Sequence, residues 1–317
     1  MKDFFILQRP NKSYQMNNSE QFTPIIIMIL IILLIIVYRN EIRKNYKVEK
    51  IIRYTLTGLS SIIFIFYYLG TWLINGIEVD NLPLHLCYIA NILCIILGFT
   101  KSKKIYDFVI CYGAIGGIAS LISMDTSLSS MYFKYYQFMV SHISIIVIPI
   151  YFLLIHRYYL KESKVIKLYI LLQIMGIVIG TFNHKFNTNY FFVLFNSNLA
   201  AKGTILETLG DGYNYFINLE VLVTIYTGVI YILVRVFNRK IKNTSGYLEN
   251  NCKFNDINII KAKGFTSIKR KITKLFKCNF IFIRNIRNNW SNRRYVFLRN
   301  CFNDLILILR IIFVMVA

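Results

Sequence analysis

Acidic side chains are scarce in this sequence. Its 317 residues hold 15 Asp and Glu against 37 Lys and Arg, and charged residues of both signs make up only 16%. That is too little charge to cover a soluble protein of this length. Metal spacings are lacking too. The six cysteines form no CxxC and no Cys/His pattern, so neither a metal nor a cofactor is expected. Half of them, Cys87, Cys94 and Cys111, fall in apolar runs, which argues against a disulfide framework. No internal repeat of the kind that builds transporters is visible. No nucleic-acid-binding motif accompanies the basic residues, so no specific nucleic-acid partner is expected.

What the chain has is apolar length. Hydrophobic residues make up 56% and the mean hydropathy is +0.50. A span needs roughly 20 apolar residues, and seven stretches qualify: 22–38, 51–74, 82–99, 105–122, 136–155, 165–182 and 213–236. The expected fold is an all-α, polytopic membrane helix bundle of seven transmembrane helices. The first stretch is not read as a cleaved signal, because Tyr38-Arg39-Asn40 follows it where a small-residue cleavage site would stand. The stretch 305–317 carries Arg310 and is too short to cross.

Loop charge orients the bundle. Loops 39–50, 100–104 and 156–167 hold five, three and four Lys or Arg; loops 75–81, 123–135 and 183–212 hold none, one and two. The positive-inside rule puts the first set in the cytoplasm. This gives an extracytoplasmic N-terminus (1–21), a transmembrane domain (22–237) and a basic cytoplasmic tail (238–317). Sixteen Lys or Arg lie between Arg239 and Arg299, against Glu249 and Asp256. The tail shows no sustained helical stripe and reads as an extension near anionic lipid. The setting is a cell membrane, the bacterial plasma membrane, with membrane lipids as partners. The oligomeric state is left open.

Polar residues within the spans share a depth. His85, Cys87 and Asn91 lie roughly 5 to 14 Å below the outer end of the third span. His142 in the fifth span and Glu220 in the seventh fall in the same outer half. Ionisable groups at such depth are costly unless they face a cavity or a partner. His85 and Cys87 point about 160° apart on a helix and cannot pair with each other, whereas Cys87, Asn91 and Cys94 share a face. A Cys87 nucleophile would therefore take His142 as its base, with Glu220 orienting the imidazole. Asn91 or Asn189 would supply a donor to the oxyanion. Asn183, His184, Asn189 and Tyr190, in the longest loop between spans, would hang over the same pocket with His85. Plain structural roles exist beside these. Cys87 can be packing. His142 can bond a carbonyl freed by Pro149. Glu220 can be a neutral acid in a structural hydrogen bond. Asp107 and Gln173 read as structural.

Four segments in this order resemble the bacterial YwaF-type integral membrane proteins: "LPLHLCYIANILCII" (82–96), "YYQFMVSHISIIVIPIYFLL" (135–154), "NHKFNTNYFFVL" (183–194) and "LGDGYNYFINLEVLV" (209–223). The resemblance covers about residues 22–237. A eukaryotic relative of that family, transmembrane protein 164, is a phospholipid acyltransferase that works through a cysteine acyl intermediate. It is similar in turn to intramembrane fatty-acid ester hydrolases that use a threonine and a histidine. The resemblance implies acyl transfer or ester hydrolysis on membrane lipids in the outer leaflet, and its histidine falls on His142. The relatives' nucleophilic cysteine stands between a proline and a histidine, and Leu84 stands there in this sequence. Cys87, about one turn deeper on much the same face, is the candidate substitute. The alternative reading is a non-enzymatic transporter or a lipid-binding or structural membrane protein.

Overall fold

The computed structural model describes residues 17–122, 130–193 and 205–262. Among these residues the chain is helical and has no strand. The helices are α1 (Asn18–Lys44), α2 (Tyr46–Asn75), α3 (Leu86–Thr100), α4 (Lys103–Ile122), α5 (Phe133–Ile155), α6 (Glu162–Phe186) and α7 (Gly212–Ala262). Short 3-10 turns lie at Val79–Asn81, Tyr190–Phe192 and Ile205–Leu209. The chain divides into two compact units after Tyr231, and the candidate site belongs to the first.

Six of the helices are long and apolar enough to cross a membrane: α1, α2, α4, α5, α6 and the Gly212–Arg239 part of α7. Helix α3 is not. It has 15 residues, about 22 Å at 1.5 Å per residue, against an apolar core of about 30 Å. The expected span began at 82, but the helix begins at Leu86. Pro83 is the cause. It disfavours helical geometry at the residue before it, and Leu82 is extended at φ −79, ψ 148. His85 is extended too and becomes the N-cap. At the other extreme, α7 runs on to Ala262, past the expected boundary at 237. A helix already nucleated gains one hydrogen bond per added residue and needs no apolar stripe to continue. The stretch 305–317 lies outside the described residues.

Hydrogen bonds sort the loops onto two ends. Asn45 closes the turn between α1 and α2, its side chain accepting from the Lys47 and Val48 amides at 3.0 and 3.3 Å. Close by, Arg43 Nε donates to the Leu154 carbonyl at 2.9 Å. Tyr158 donates to the Lys101 carbonyl at 2.8 Å, and Lys103 to that of Tyr159 at 2.6 Å. The three basic loops therefore meet at one end. At the other, Tyr135 donates to the Glu20 carbonyl at 2.8 Å and Tyr190 to that of Val79 at 2.6 Å. This up-and-down order matches the alternation of loop charge.

The basic end holds a buried charge cluster that was not expected. Glu49 and Arg53 are 5% and 3% exposed. Arg53 Nε bonds Glu49 Oε1 at 2.7 Å, and Arg53 also donates to the Gly98 carbonyl. Lys101 Nζ and His156 Nε2 reach Glu49 at 3.4 and 2.9 Å. One carboxylate thus ties α2 to the ends of α3 and α5. Burial, with Lys101 beside it, pulls the His156 pKa below its ordinary value.

Helices α2 and α3 are tightly packed at Gly98, where an added Cβ would lie 1.9 Å from Thr57 Oγ1. Gly98→Ala is expected to destabilise the protein by about 1–3 kcal/mol, the usual range for overpacking. Gly176→Ala, with nothing within 4 Å of the added atom, is expected to cost nothing. Thermal unfolding of the two variants in detergent makes the comparison.

Helix α5 is central, packing against α1, α2, α3 and α4. Helix α4 widens into a π turn at Val109–Gly113. Such a turn frees a carbonyl and rotates the rest of the helix. The Cys111 carbonyl accepts from the Tyr226 hydroxyl, and the Tyr112 and Thr227 hydroxyls bond at 3.2 Å, fastening α4 to α7. The rotated segment carries Gly113, Gly116, Gly117 and Ser120 toward α3 and α5.

Candidate functional site

The late start of α3 places Cys87 in its first turn. The first N–H groups of a helix have no acceptor within it, and among the described residues no backbone carbonyl accepts from Leu86 or Cys87. A helix N-terminus favours a thiolate and can hold a developing oxyanion. The span expected from 82 hid this feature.

Small residues of α4 make the wall beside Cys87. Ala90 packs on Gly113, Cys87 Sγ lies over Gly116, and Sγ is 3.7 Å from Ser120 Oγ. One turn toward the basic end, Gly117 meets Ile145 and Ile146 of α5. His142 lies one turn from that pair in the direction of Ser120. Cys87 and His142 therefore flank the same stretch of α4. Ser120 carries no signal in the sequence, where "GGIAS" reads as small packing residues.

His142 is 3% exposed. Its Nδ1 lies 2.7 Å from the Phe138 carbonyl, its one side-chain hydrogen bond among the described residues. A carbonyl only accepts, so Nδ1 carries the hydrogen and the neutral ring keeps a basic lone pair on Nε2. This carbonyl is not the one freed by Pro149, which belongs to Ile145. Nor does Glu220 take the orienting role expected of it. Its Oε2 accepts from Gln173 Nε2 at 2.8 Å. Gln173 and Asp107 both have structural partners, Asp107 being ion-paired with Lys103.

Asn91 is fully buried and committed. Its Oδ1 accepts from Ser60 at 2.8 Å and its Nδ2 donates to Ser141 Oγ at 3.2 Å. It locks α2, α3 and α5 together and has no amide hydrogen bond directed at Cys87. Gln137 Nε2 joins the chain at Ser141, 3.1 Å away. Sequence reasoning missed Gln137, Ser141 and Ser60, although Gln137 and Ser141 stand one turn apart just before His142.

His85 and Cys87 do have separate neighbours. The His85 ring lies 5.0 Å from that of Tyr190 and 5.4 Å from that of Phe192. Tyr190 is a tie between loops, accepting from the Leu82 amide at 3.0 Å while donating to Val79. Burial holds its phenol above its ordinary pKa, so it stays a neutral donor. Asn183 clamps the same loop. Its Nδ2 donates to the Tyr190 carbonyl at 2.7 Å, and its Oδ1 accepts from the Tyr190 amide at 2.9 Å and from Thr188 at 3.0 Å. Asn189 immediately precedes the turn at Tyr190–Phe192 without a side-chain bond to it, and His184 is exposed on the last turn of α6. Residues 194–204 of this loop lie outside the described residues. Leu84 packs against the apolar cluster of Ile179, Tyr190, Val193, Tyr215 and Leu219.

Among the described residues no three His, Cys, Asp or Glu side chains gather as metal ligands do. The thiols of Cys87, Cys94 and Cys111 are free.

The model of the TMEM164 family matches residues 15–231. No curated protein and no solved structure matches the chain.

Proposed function

Because the chain belongs to the TMEM164 family and is a multi-pass membrane protein, we propose that it moves or hydrolyses acyl chains of membrane lipids, with Cys87 as nucleophile and His142 as base. What supports this reading is the contact of Cys87, in the first turn of α3, with Ser120 of α4, together with a buried His142 whose Nδ1 is held by the Phe138 carbonyl one turn along α5 from the residues that meet Gly117. Nε2 takes the thiol proton as Sγ attacks the ester carbonyl carbon. The amides of Leu86 and Cys87 receive the oxyanion. Collapse returns the proton to the departing alcohol and leaves a thioester on Cys87. A hydroxyl then attacks the thioester, gives its proton to Nε2 and restores the thiol. Ser120 acts as a positioning residue, its hydroxyl donating to the thiolate.

In this reading α3 and its extended lead make the seventh crossing. The N-terminus is outside, the basic end is cytoplasmic, and the membrane is the bacterial plasma membrane. His85, Asn183, Asn189 and Tyr190 shape the lipid entrance, and Asn91 holds the helices that carry the site. Purified protein given a phospholipid with a fluorescent acyl chain is expected to yield free or transferred acyl product, and Cys87→Ala to yield none. Equal product from the variant contradicts the assignment.

A second reading, a non-enzymatic transporter or lipid-binding scaffold, draws on the polar bridges between α6 and α7. Besides Gln173 and Glu220, Tyr169 and Thr224 bond at 2.9 Å. Liposomes in which the protein moves a solute without consuming lipid ester would favour it.

A further inference from the structure

We propose that Gln137 and Ser141 form a binding site for a hydroxyl group, and that the hydroxyl held there is the one that accepts the acyl chain. The second half rests on the function proposed above; the first does not.

The site is an unfinished hydrogen-bond chain. Ser60 donates to Asn91, Asn91 donates to Ser141, and Gln137 Nε2 donates to Ser141 as well. Ser141 Oγ has then accepted twice, and among the described residues its own hydrogen goes nowhere. Gln137 is fully buried, and its Oε1 accepts from nothing among the described residues. A buried polar atom left this way costs roughly 1–3 kcal/mol unless something fills the place. Turning the amide over does not remove the demand. Ser141 would then donate to Oε1 and Nε2 would be left over. A hydroxyl meets either case, since it both donates and accepts.

Register puts Gln137 on the Cys87 side of the Asn91–Ser141 bond. The Asn91–Ser141 bond fixes α3 against α5. Both helices end at Glu49, through Lys101 and His156, so they run parallel. One turn back from Asn91 is Cys87, and one turn back from Ser141 is Gln137. A hydroxyl on Gln137 is therefore on the same side of the Asn91–Ser141 bond as a thioester on Cys87. In the second step its oxygen forms the new bond to the acyl carbon, the C–S bond breaks, and its proton passes to His142 Nε2. Water there gives a fatty acid; a lipid alcohol gives a new ester. The hydroxyl that Gln137 holds thus decides which product forms.

The test uses the full chain in a detergent without hydroxyl groups. Dodecan-1-ol is expected to raise the thermal midpoint of the wild type more than its methyl ether does, and Gln137→Leu to lose that difference. Equal effects of alcohol and ether on the wild type overturn the proposal and leave a structural water only. So does a difference that survives in the variant. Should Gln137→Leu fail to fold, Gln137→Met, closer in shape, carries the comparison. A second measurement tracks acyl-Cys87 after mixing with a lipid ester. Gln137→Leu is expected to slow its breakdown about tenfold, the loss of one hydrogen bond, with the acylation burst kept. A wild type that forms no acyl-Cys87 removes the proposed function, and the alcohol–ether comparison still decides the hydroxyl site.

Discussion

His142→Asn is expected to lower acyl turnover by about 10²–10⁴-fold, the usual contribution of a general base, with little change in the thermal midpoint. Asparagine is chosen because its amide nitrogen can take over the bond that Nδ1 makes to the Phe138 carbonyl, while it supplies no basic lone pair. The fold is kept and only Nε2 is lost. Helix α5 packs on four neighbours, so alanine at this buried position would mix a cavity cost with the chemical one. Turnover of a fluorescent-acyl phospholipid, read beside the thermal midpoint, separates the two. Full activity in a stable His142→Asn protein would remove the histidine from the mechanism.

The largest effect on stability is expected at the opposite end of the bundle. Glu49→Leu leaves Arg53, 3% exposed, with no carboxylate, and also takes the anion from Lys101 and His156. Breaking one side of a buried pair costs about 3–5 kcal/mol, because the remaining charge is stranded. The double variant Glu49→Leu/Arg53→Leu is expected to recover much of the loss, since no buried charge remains. Denaturation of both variants in detergent micelles tests the pair. A double variant as unstable as the single would mean that the cluster acts through its other bonds, such as that of Arg53 to the Gly98 carbonyl.

The spans are legible because apolar length and loop charge are properties of local sequence. Six of the seven expected stretches match helices long enough to cross. The exception is legible in part. Pro83 announces a bend, yet hydropathy runs straight through it, so the span reads from 82 where the helix starts at Leu86. Four residues of difference put Cys87 in the first turn of the helix, among amides that have no acceptor within it. The π turn at Val109–Gly113 leaves no compositional mark, and with it goes the approach of Ser120 to Cys87. Glu49 and Arg53 look in sequence like a solvated i, i+4 pair at a helix start. Only packing shows that Gly98, Lys101 and His156 close over them. Glu220 stands out in sequence as a costly side chain, but sequence cannot choose between His142 and Gln173 as its neighbour. Helical geometry does separate His85 from Cys87, because 100° per residue holds wherever the helix begins.

A covalent acyl group at one sulfur is the centre of the proposed mechanism. Wild-type protein mixed briefly with a phospholipid, quenched in acid and digested is expected to give the Cys87 peptide heavier by one acyl group. That mass should disappear with hydroxylamine and be absent from Cys87→Ala. An active protein whose Cys87 peptide stays unmodified, or a Cys87→Ala protein that is acylated and turns over as the wild type does, would contradict it.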